Sequence, residues 1–348
     1  MSDATRWKKL ESCGEGGQGQ AFVVCRSDGT DPVRYVYKRL RNAKRNARFD
    51  LEIAALRRLE HPNIVQIIDD GDENGKPFYV MELCGRGDLS TLDLEPLSLR
   101  ERLALFRQVC LGVAAAHQKG LIHRDLKPKN VLVRTDGSLA VGDFGLCLDL
   151  SELDHRNTET GEAVGPRDYI CPELEGGRAE IPAPSCDCYA LGKLLYYFVS
   201  GKTVPRERYR EGRYDLLRDG ADSGMHFVYD LLDRSLTENP EGRFKDGGEF
   251  LKAVDGVLEK FDMEAHVLDL EVVQKCLYCV DGNYRLQLLH EPKAYAPRLP
   301  DDKTPFRFWG SNSMDQKPWM ALVCDNCGHV QFFRRDLTKD VTKWKNVK

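Results

Sequence analysis

The first part of the chain carries short apolar and aromatic runs that predict β-strands. Four runs are rich in β-branched or aromatic residues and have glycine or aspartate close by: 22–25, 35–38, 65–68 and 78–81. Between the second and third runs, apolar side chains recur at helical spacing over residues 44–60, which predicts a helix. We therefore expect a sheet interrupted by one helix.

The pattern becomes helical from Ser98 onward. Ser98 and Glu101 have the spacing of a capping box, in which each side chain binds the backbone amide of the other residue. An apolar stripe at helical spacing follows, and Gly120 is a suitable residue to end this helix. Helices are also expected to dominate residues 185–260.

Strand-rich sequence followed by helix-rich sequence predicts an α+β fold for residues 1–262. A second domain is expected over residues 263–348, where strand-like segments occur at 319–323 and 330–333. This second domain should be small and rich in β-structure.

Composition and charge exclude several classes of protein. Of the 348 residues, 41% are hydrophobic and 30% are charged, as in soluble globular proteins. The net charge of −4 gives no overall attraction to nucleic acid or membranes. The first ten residues lack the apolar core of a signal peptide, and no window approaches the ~18 apolar residues of a spanning helix. We expect a cytoplasmic protein without membrane insertion.

A glycine-rich segment lies between the first two predicted strands. Gly14, Gly16 and Gly19 fall within GEGGQGQAFV at 14–23. Glycines allow backbone amides to approach phosphate oxygens closely, although a plain glycine-rich hairpin would have the same sequence. A dinucleotide fold is disfavoured because a strand, and not a helix, follows the glycines.

Lys38 lies in the strand after this segment, and Glu52 lies in the predicted helix. The pair could meet and hold the α- and β-phosphates of a nucleotide. The alternatives are a surface lysine and a glutamate on a solvated helix face.

Two further motifs carry more specific chemistry. Within HRDLKPKN at 123–130, Asp125 can accept the proton of a hydroxyl group and Lys127 can neutralise a moving phosphoryl group. Asn130 and the aspartate of DFG, Asp143, can bind Mg²⁺. Phosphoryl transfer requires this set of groups, mainly for positioning and charge neutralisation.

These motifs, in this order, resemble those of the eukaryotic-type (Hanks-type) serine/threonine protein kinases over residues 8–258. The resemblance implies a two-lobed fold with a β-rich N-terminal lobe and a helical C-terminal lobe. It also implies ATP- and Mg²⁺-dependent phosphorylation of serine or threonine in a protein substrate, with Asp125 as the catalytic base. Lys127, Lys38 and Glu52 complete the implied catalytic set, and Asn130 and Asp143 are the implied magnesium ligands.

The resemblance also implies a nucleotide site. Glu82 to Cys84 match the hinge that meets adenine, and Asp88 matches a residue that reaches the ribose. The full implied set is Gly14, Gly16, Gly19, Ala21, Val36, Lys38, Met81, Glu82, Cys84, Asp88 and Leu132. Outside this site, Asp187 matches the residue that anchors the catalytic loop, and Arg243 matches the partner of Glu173.

Two residues in or near the predicted activation loop bear on which hydroxyl accepts the phosphate and on how the activity is regulated. Pro166 stands where the family usually has threonine or serine, so the preference for serine or threonine over tyrosine rests mainly on Lys127. Arg124 precedes the catalytic aspartate, a pattern of kinases that are switched by loop phosphorylation. Autophosphorylation is therefore expected in the loop, which contains Ser151, Thr158 and Thr160; plain solvated loop residues are the alternative.

Two CxxC pairs near the C-terminus predict a structural zinc site. The four thiols belong to Cys276, Cys279, Cys324 and Cys327, and each pair has the spacing of two zinc ligands, although the 44 residues between the pairs exceed the commonest separation. The region resembles zinc-ribbon domains. A redox role or free core cysteines are the alternatives. Residues 331–348 carry six basic and two acidic side chains, so an acidic partner or nucleic acid could bind there, or the tail could be solvated.

Two alternative functions therefore remain open. The chain could be a pseudokinase-like scaffold or sensor that acts through the zinc ribbon, although the intact set of motif residues argues against it. The ribbon could also be the main recognition module, to which the kinase responds.

Overall fold

The structure is a computed structural model that describes residues 6–15, 19–29, 32–40, 53–73, 75–144, 148–149, 168–177, 183–217, 224–269, 284–289, 319–324 and 330–334. Contacts within the chain separate two compact units, Met1–Leu258 and Glu259–Lys348. The division into domains at 1–262 and 263–348 remains a prediction.

A five-stranded antiparallel sheet forms the N-terminal part of the first unit, in the order β1-β2-β3-β5-β4. Its strands are β1 (Trp7–Glu15), β2 (Gly19–Arg26), β3 (Tyr35–Leu40), β4 (Ile67–Asp72) and β5 (Pro77–Glu82). Three of the four predicted runs lie within strands. The run at 65–68 was placed too early, because the Val65 amide binds the Val141 carbonyl and the Gln66 amide binds the Glu82 side chain.

One face of this sheet is held together by aromatic packing. Tyr37 and Phe78 stack with ring centroids 4.5 Å apart, and both are fully buried. Trp7 packs edge-on against Tyr35 and joins the same cluster, together with Val24 and Val80. Such large buried rings fix the register of the strands, since a slip by one residue would turn them to the opposite face.

Residues 53–58 are helical (α1), within the predicted helix at 44–60; the earlier part of that prediction lies outside the described residues. The capping box is confirmed: the Glu101 amide donates to Ser98 Oγ (3.3 Å) and the Ser98 amide donates to Glu101 Oε2 (2.8 Å). The helix that they start, α2 (Leu99–Gln118), ends just before Gly120, whose φ of +72° suits glycine.

The rest of the first unit is mainly helical, as predicted. Its other helices are α3 (Pro184–Ser200), α4 (Met225–Ser235) and the first part of α5 (Gly247–Asp269), a helix that continues past the boundary at Leu258. Phe106 of α2 packs edge-on against Phe198 of α3 and Phe250 of α5, so one buried ring joins three helices. Nearly all of α3 is buried, including its charged residues Asp187 and Lys193.

Four short strands lie between α2 and α3 in the chain. They are β6 (Leu121–Ile122), β7 (Val131–Val133), β8 (Leu139–Val141) and β9 (Leu148–Asp149), with β6 paired to β9 and β7 paired to β8. The HRDLKPKN motif fills the connection from β6 to β7, and Asp143 follows β8. Both motifs therefore sit at the ends of short buried strands.

The second unit contains a three-stranded antiparallel sheet in the order β10-β11-β12. Its strands are β10 (Tyr284–Leu289), β11 (Trp319–Cys324) and β12 (Val330–Arg334). The predicted strands at 319–323 and 330–333 are confirmed. In the part of the chain that the structure describes, no helix is long and apolar enough to cross a membrane.

Gly112 in α2 provides a test of this packing. A Cβ there would overlap the Asn63 carbonyl, which is already fixed because it accepts a hydrogen bond from the Val141 amide (2.9 Å). We expect Gly112→Ala to lower the free energy of unfolding by about 1–3 kcal/mol despite its better helix propensity.

The matched control is Gly256→Ala in α5, where a Cβ would meet no atom within 4 Å. There the gain in helix propensity should raise the free energy of unfolding by about 0.5–1 kcal/mol. Chemical denaturation of both variants measures the difference, and equal effects would contradict the close contact at Gly112.

Candidate active site

Among the described residues, side chains bind only one of the two carboxylate oxygens of Asp125. Its side chain is 5% exposed, and its Oδ2 atom accepts hydrogen bonds from Lys127 Nζ (2.6 Å) and Asn130 Nδ2 (2.9 Å). Asn130 Nδ2 also donates to the Asp125 carbonyl (2.7 Å). These contacts fix the orientation of the carboxylate.

The other carboxylate oxygen of Asp125, Oδ1, is buried, and no donor among the described residues reaches it. Buried acceptors normally have a partner, so an unmatched one at a fixed carboxylate marks a position for an external donor. A hydroxyl group of a bound molecule is such a donor.

Asp187, on the buried helix α3, holds the backbone of the same loop. Its carboxylate accepts hydrogen bonds from the amides of His123 (2.7 Å) and Arg124 (2.9 Å). Arg124 has a φ of +68°, a conformation that non-glycine residues rarely adopt and that these bonds help to maintain. Burial alone would raise the pKa of Asp187, but its hydrogen bonds and nearby His117 and His123 lower it below the usual value.

His117 completes this arrangement and was not recognised from the sequence. The Gly247 amide donates to His117 Nδ1 (2.9 Å), so the other ring nitrogen, Nε2, donates to Asp187 Oδ2 (2.8 Å). The start of α5 is thereby linked through one imidazole to the loop that carries Asp125. A signal was present, because His117 continues the buried stripe of α2 at helical spacing and a buried histidine needs partners.

Asp143 lies opposite Lys38. Lys38 Nζ donates to Asp143 Oδ1 (3.2 Å) and lies 5.5 Å from the centre of the Tyr79 ring. Burial alone would raise the pKa of Asp143, but Lys38, His123 and Lys127 outweigh this and keep it below the usual value. Asp143 also has a positive φ of 59°. It thus combines an ionised carboxylate with a backbone conformation that is rare for residues other than glycine.

Phe144, the residue after Asp143, fixes this position by packing against His123. It is fully buried, and its ring centroid lies 4.6 Å from that of His123. His123 Nε2 contacts the Gly142 carbonyl (2.9 Å), while its Nδ1 accepts from the Asp125 amide (3.2 Å). One imidazole thus joins the two motifs.

The residues of the expected nucleotide site lie along the sheet and the connection that follows it. In the sheet, Ala21 pairs with Lys38 and Val36 pairs with Met81. Leu132 forms an isolated bridge with Asp88, whose carboxylate also accepts from the Ser90 amide (2.8 Å). Gly14 pairs with Ala21, and Gly19 pairs with Leu40.

The Glu82 side chain is bound by Arg134, a residue that the sequence did not single out. Arg134 Nε and Nη2 donate to the two carboxylate oxygens of Glu82, each at 2.7 Å. Arg134 comes directly after β7, and no hydrophobic or motif pattern marks it. Cys84, two residues beyond Glu82, is buried.

Glu173 and Arg243 form a buried pair, as the resemblance predicted. Arg243 Nη1 and Nη2 donate to the two Glu173 oxygens at 2.6 and 2.9 Å. Glu173 also lies in a group with the thiols of Cys171 and Cys186, with all three ligand atoms within 4.8 Å of one another. Since Arg243 already occupies the carboxylate, only two thiols remain, fewer than the four ligands of a structural zinc site.

Several predicted residues lie outside the described residues. They are Gly16, Glu52, Ser151, Thr158, Thr160, Pro166, Cys276, Cys279 and Cys327. Cys324 is the last residue of β11. The Lys38–Glu52 pair, the loop phosphorylation sites and the four-cysteine zinc site therefore remain predictions.

Comparison with known proteins gives one matching family. The family described as "Protein kinase domain" matches residues 7–244, more than half of the chain.

Curated relatives match only parts of their own length. The serine/threonine-protein kinase PknL of Mycobacterium tuberculosis is 38% identical over 159 residues, 45% of this chain and 39% of PknL. PknA of the same species is 33% identical over 228 residues, 60% of this chain and 51% of PknA. The rat NUAK family SNF1-like kinase 2 is 34% identical over 207 residues, 58% of this chain and 31% of the relative. The matches thus span about half or less of each relative.

The Glu173–Arg243 pair provides a test of the electrostatics. Burial would raise the pKa of Glu173, but Arg243 lowers it below the usual value, so the pair stabilises the fold above the pKa of the unfolded carboxyl, about 4.3. Arg243→Met leaves a buried carboxylate without its cation and should lower the free energy of unfolding at pH 7 by about 3–5 kcal/mol.

The difference from wild type should shrink as the pH falls, because Glu173 without its cation takes up a proton in the folded variant, whereas Arg243 keeps it ionised in wild type. Denaturation at pH 7 and pH 4 measures this. Arg208→Met, which removes the exposed ion pair with Glu211, is the control and should change stability little at either pH. A loss that is the same at both pH values would contradict an electrostatic origin.

Proposed function

This chain belongs to the protein kinase family, and we propose that it transfers the γ-phosphoryl group of ATP to serine or threonine hydroxyls of a protein substrate, with Mg²⁺ as cofactor. The observation that carries the proposal is the arrangement around Asp125. One carboxylate oxygen is fixed by Lys127 and Asn130, and the other is buried without a described donor. That oxygen suits the hydroxyl of a substrate.

Asp143 and Asn130 are suited to hold Mg²⁺. Asp143 is kept ionised by Lys38, and carboxylate oxygens are the ligands that this ion prefers. The amide nitrogen of Asn130 faces Asp125, which leaves its amide oxygen as the group available to a metal. When bound, the metal–nucleotide complex supplies the phosphoryl group and neutralises the charge that develops on it.

The residues of the chain then orient the acceptor. Asp125 Oδ1 accepts a hydrogen bond from the substrate hydroxyl and takes its proton as the new bond forms. Lys127, whose ammonium group already contacts Asp125 Oδ2, lies close enough to offset negative charge on the transferred group. Asp187 keeps the loop in this geometry through the amides of His123 and Arg124.

Lys38 is proposed to bind the α- and β-phosphates, together with the backbone of the glycine segment 14–19. Glu52 is proposed as the partner that orients Lys38. Adenine is proposed to contact the segment from Glu82 to Cys84, between Ala21, Val36 and Leu132, with Met81 at its rear edge and Asp88 near the ribose.

Autophosphorylation of the activation loop is part of the proposal. Ser151, Thr158 and Thr160 are the candidate sites. Arg124 precedes the catalytic base and would pair with the new phosphate, which would order the loop.

The second unit is proposed to bind one structural zinc ion through Cys276, Cys279, Cys324 and Cys327. The support is the CxxC spacing, together with a three-stranded sheet in which Cys324 ends β11. This domain and its basic tail are proposed to recruit an acidic partner, with nucleic acid as the second possibility.

Replacement of Asp125 tests the catalytic proposal. Asp125→Asn keeps the size of the side chain but removes the base, so phosphate transfer to a generic protein substrate should fall by about 100-fold or more. Lys38→Met should cause a comparable loss. Asp93→Asn makes the same chemical change at an exposed position and should leave the activity unchanged.

Radiolabelled ATP measures turnover, and peptide mapping of the same samples should find phosphate on Ser151, Thr158 or Thr160 only when Asp125 is intact. Equal activity of wild type and Asp125→Asn would favour the scaffold function. An unmodified loop in fully active protein would reject autophosphorylation alone.

Metal analysis tests the zinc site separately. Purified protein should contain one zinc ion per chain, and replacement of all four cysteines by serine should abolish it. Cys13→Ser, at an exposed free cysteine, is the control and should keep the metal. Wild-type protein without stoichiometric zinc would refute the site and leave the kinase proposal unaffected.

A further inference from the structure

We propose that Arg134 is a positioning residue for the adenine nucleotide, because it fixes one end of the hinge that the nucleotide contacts. This inference rests on the proposed function, since it assumes that adenine binds beside Glu82 to Cys84. Arg134 binds the Glu82 carboxylate and acts through it.

The guanidinium of Arg134 joins three segments of the chain. Two of its nitrogens bind both oxygens of Glu82 at 2.7 Å, and the third, Nη1, donates to the Pro62 carbonyl (2.6 Å). Glu82 Oε1 also accepts from the Gln66 amide (2.9 Å). The side chains of Arg134 and Glu82 are only 18% and 23% exposed, so solvent weakens the pair far less than at an open surface. Two hydrogen bonds from one guanidinium also fix the orientation of the carboxylate, which a single lysine ammonium could not do.

The chain just beyond the hinge, at Arg86 and Gly87, is fixed by the residue before Arg134. The Val133 amide donates to the Gly87 carbonyl (2.8 Å), and the Arg86 amide donates to the Val133 carbonyl (3.1 Å). Between these anchors, the chain passes close to the turn after Arg134, since a Cβ on Gly85 would lie 2.8 Å from Thr135 Oγ1. Residues 133–135 therefore bind or approach the chain from Glu82 to Gly87 at three points.

Loss of Arg134 would release only one of these anchors. Glu82 would keep the Gln66 amide but lose its cation, and a half-buried carboxylate without that partner turns toward water. The backbone of residues 82–84 would then sample more conformations, and binding of a nucleotide would have to restrict them again. The contacts around Asp125 do not involve Arg134, so the chemical step should be preserved.

Direct binding of a fluorescent nucleotide tests this inference without relying on turnover. The probe is methylanthraniloyl-ADP with Mg²⁺, titrated into the full chain at a temperature at which every variant is folded by circular dichroism. We expect Arg134→Met to weaken binding by about 10-fold, and Arg134→Lys to restore only part of it. In steady-state assays KM for ATP should rise by a similar factor, with kcat changed less than about twofold.

The control variant is Arg57→Met. Arg57 also binds a carboxylate, that of Asp70, through two nitrogens. Asp70 lies on the edge strand β4, away from the hinge. The Arg57→Met variant should leave nucleotide affinity unchanged. A role that is merely structural would lower the melting temperature of Arg134→Met without changing the dissociation constant of the folded protein.

A double-mutant cycle with Glu82→Gln tests whether Arg134 acts through Glu82. The double variant should bind nucleotide no more weakly than the poorer single variant, because both remove the same interaction. Additive losses, or an affinity of Arg134→Met within twofold of wild type, would overturn the inference. If wild-type protein itself does not bind the probe, the proposed function fails first, so the two failures can be distinguished.

Discussion

The geometry of the site depends on a carboxylate that water cannot reach. Asp187 is 1% exposed and lies on a helix that is buried on nearly every side. An unpaired charge at such a position would be very costly, so the fold supplies two backbone amides and an imidazole as donors. The need to satisfy this charge is what holds the backbone of the loop around Asp125 in place.

The same principle recurs elsewhere with different partners. Asp143 is balanced by Lys38, Glu173 by Arg243, and Glu82 by Arg134. Each carboxylate is at most one-third exposed, and each joins segments that are far apart in sequence. Hydrophobic packing forms the cores of the sheet and of the helical part, whereas these charge pairs tie together segments that are far apart in sequence.

How much could be read from the sequence depends on the kind of signal. Strands such as β2, β3 and β5, and the capped start of α2, follow from periodicity and local hydrogen bonding, and these predictions were accurate. The motif residues Asp125, Asn130 and Asp143 could be named because their order is specific. Arg134 could not be found in this way, since a single arginine after a strand usually faces solvent. The early start assigned to β4 has a similar cause, because the amides of Val65 and Gln66 are bound by residues distant in sequence.

The positive φ angles at Arg124 and Asp143 have a consequence for protein engineering. Both residues adopt a backbone conformation that costs of order 1 kcal/mol or more for a residue with a Cβ, and both belong to the candidate site. A search for thermostable variants would therefore be drawn to glycine at these two positions, where the strain is released most directly. At Asp143 that gain would remove the carboxylate itself, so selection for heat resistance alone would lead away from the proposed activity. A useful screen would hold these two positions constant and look for stability in the helical core.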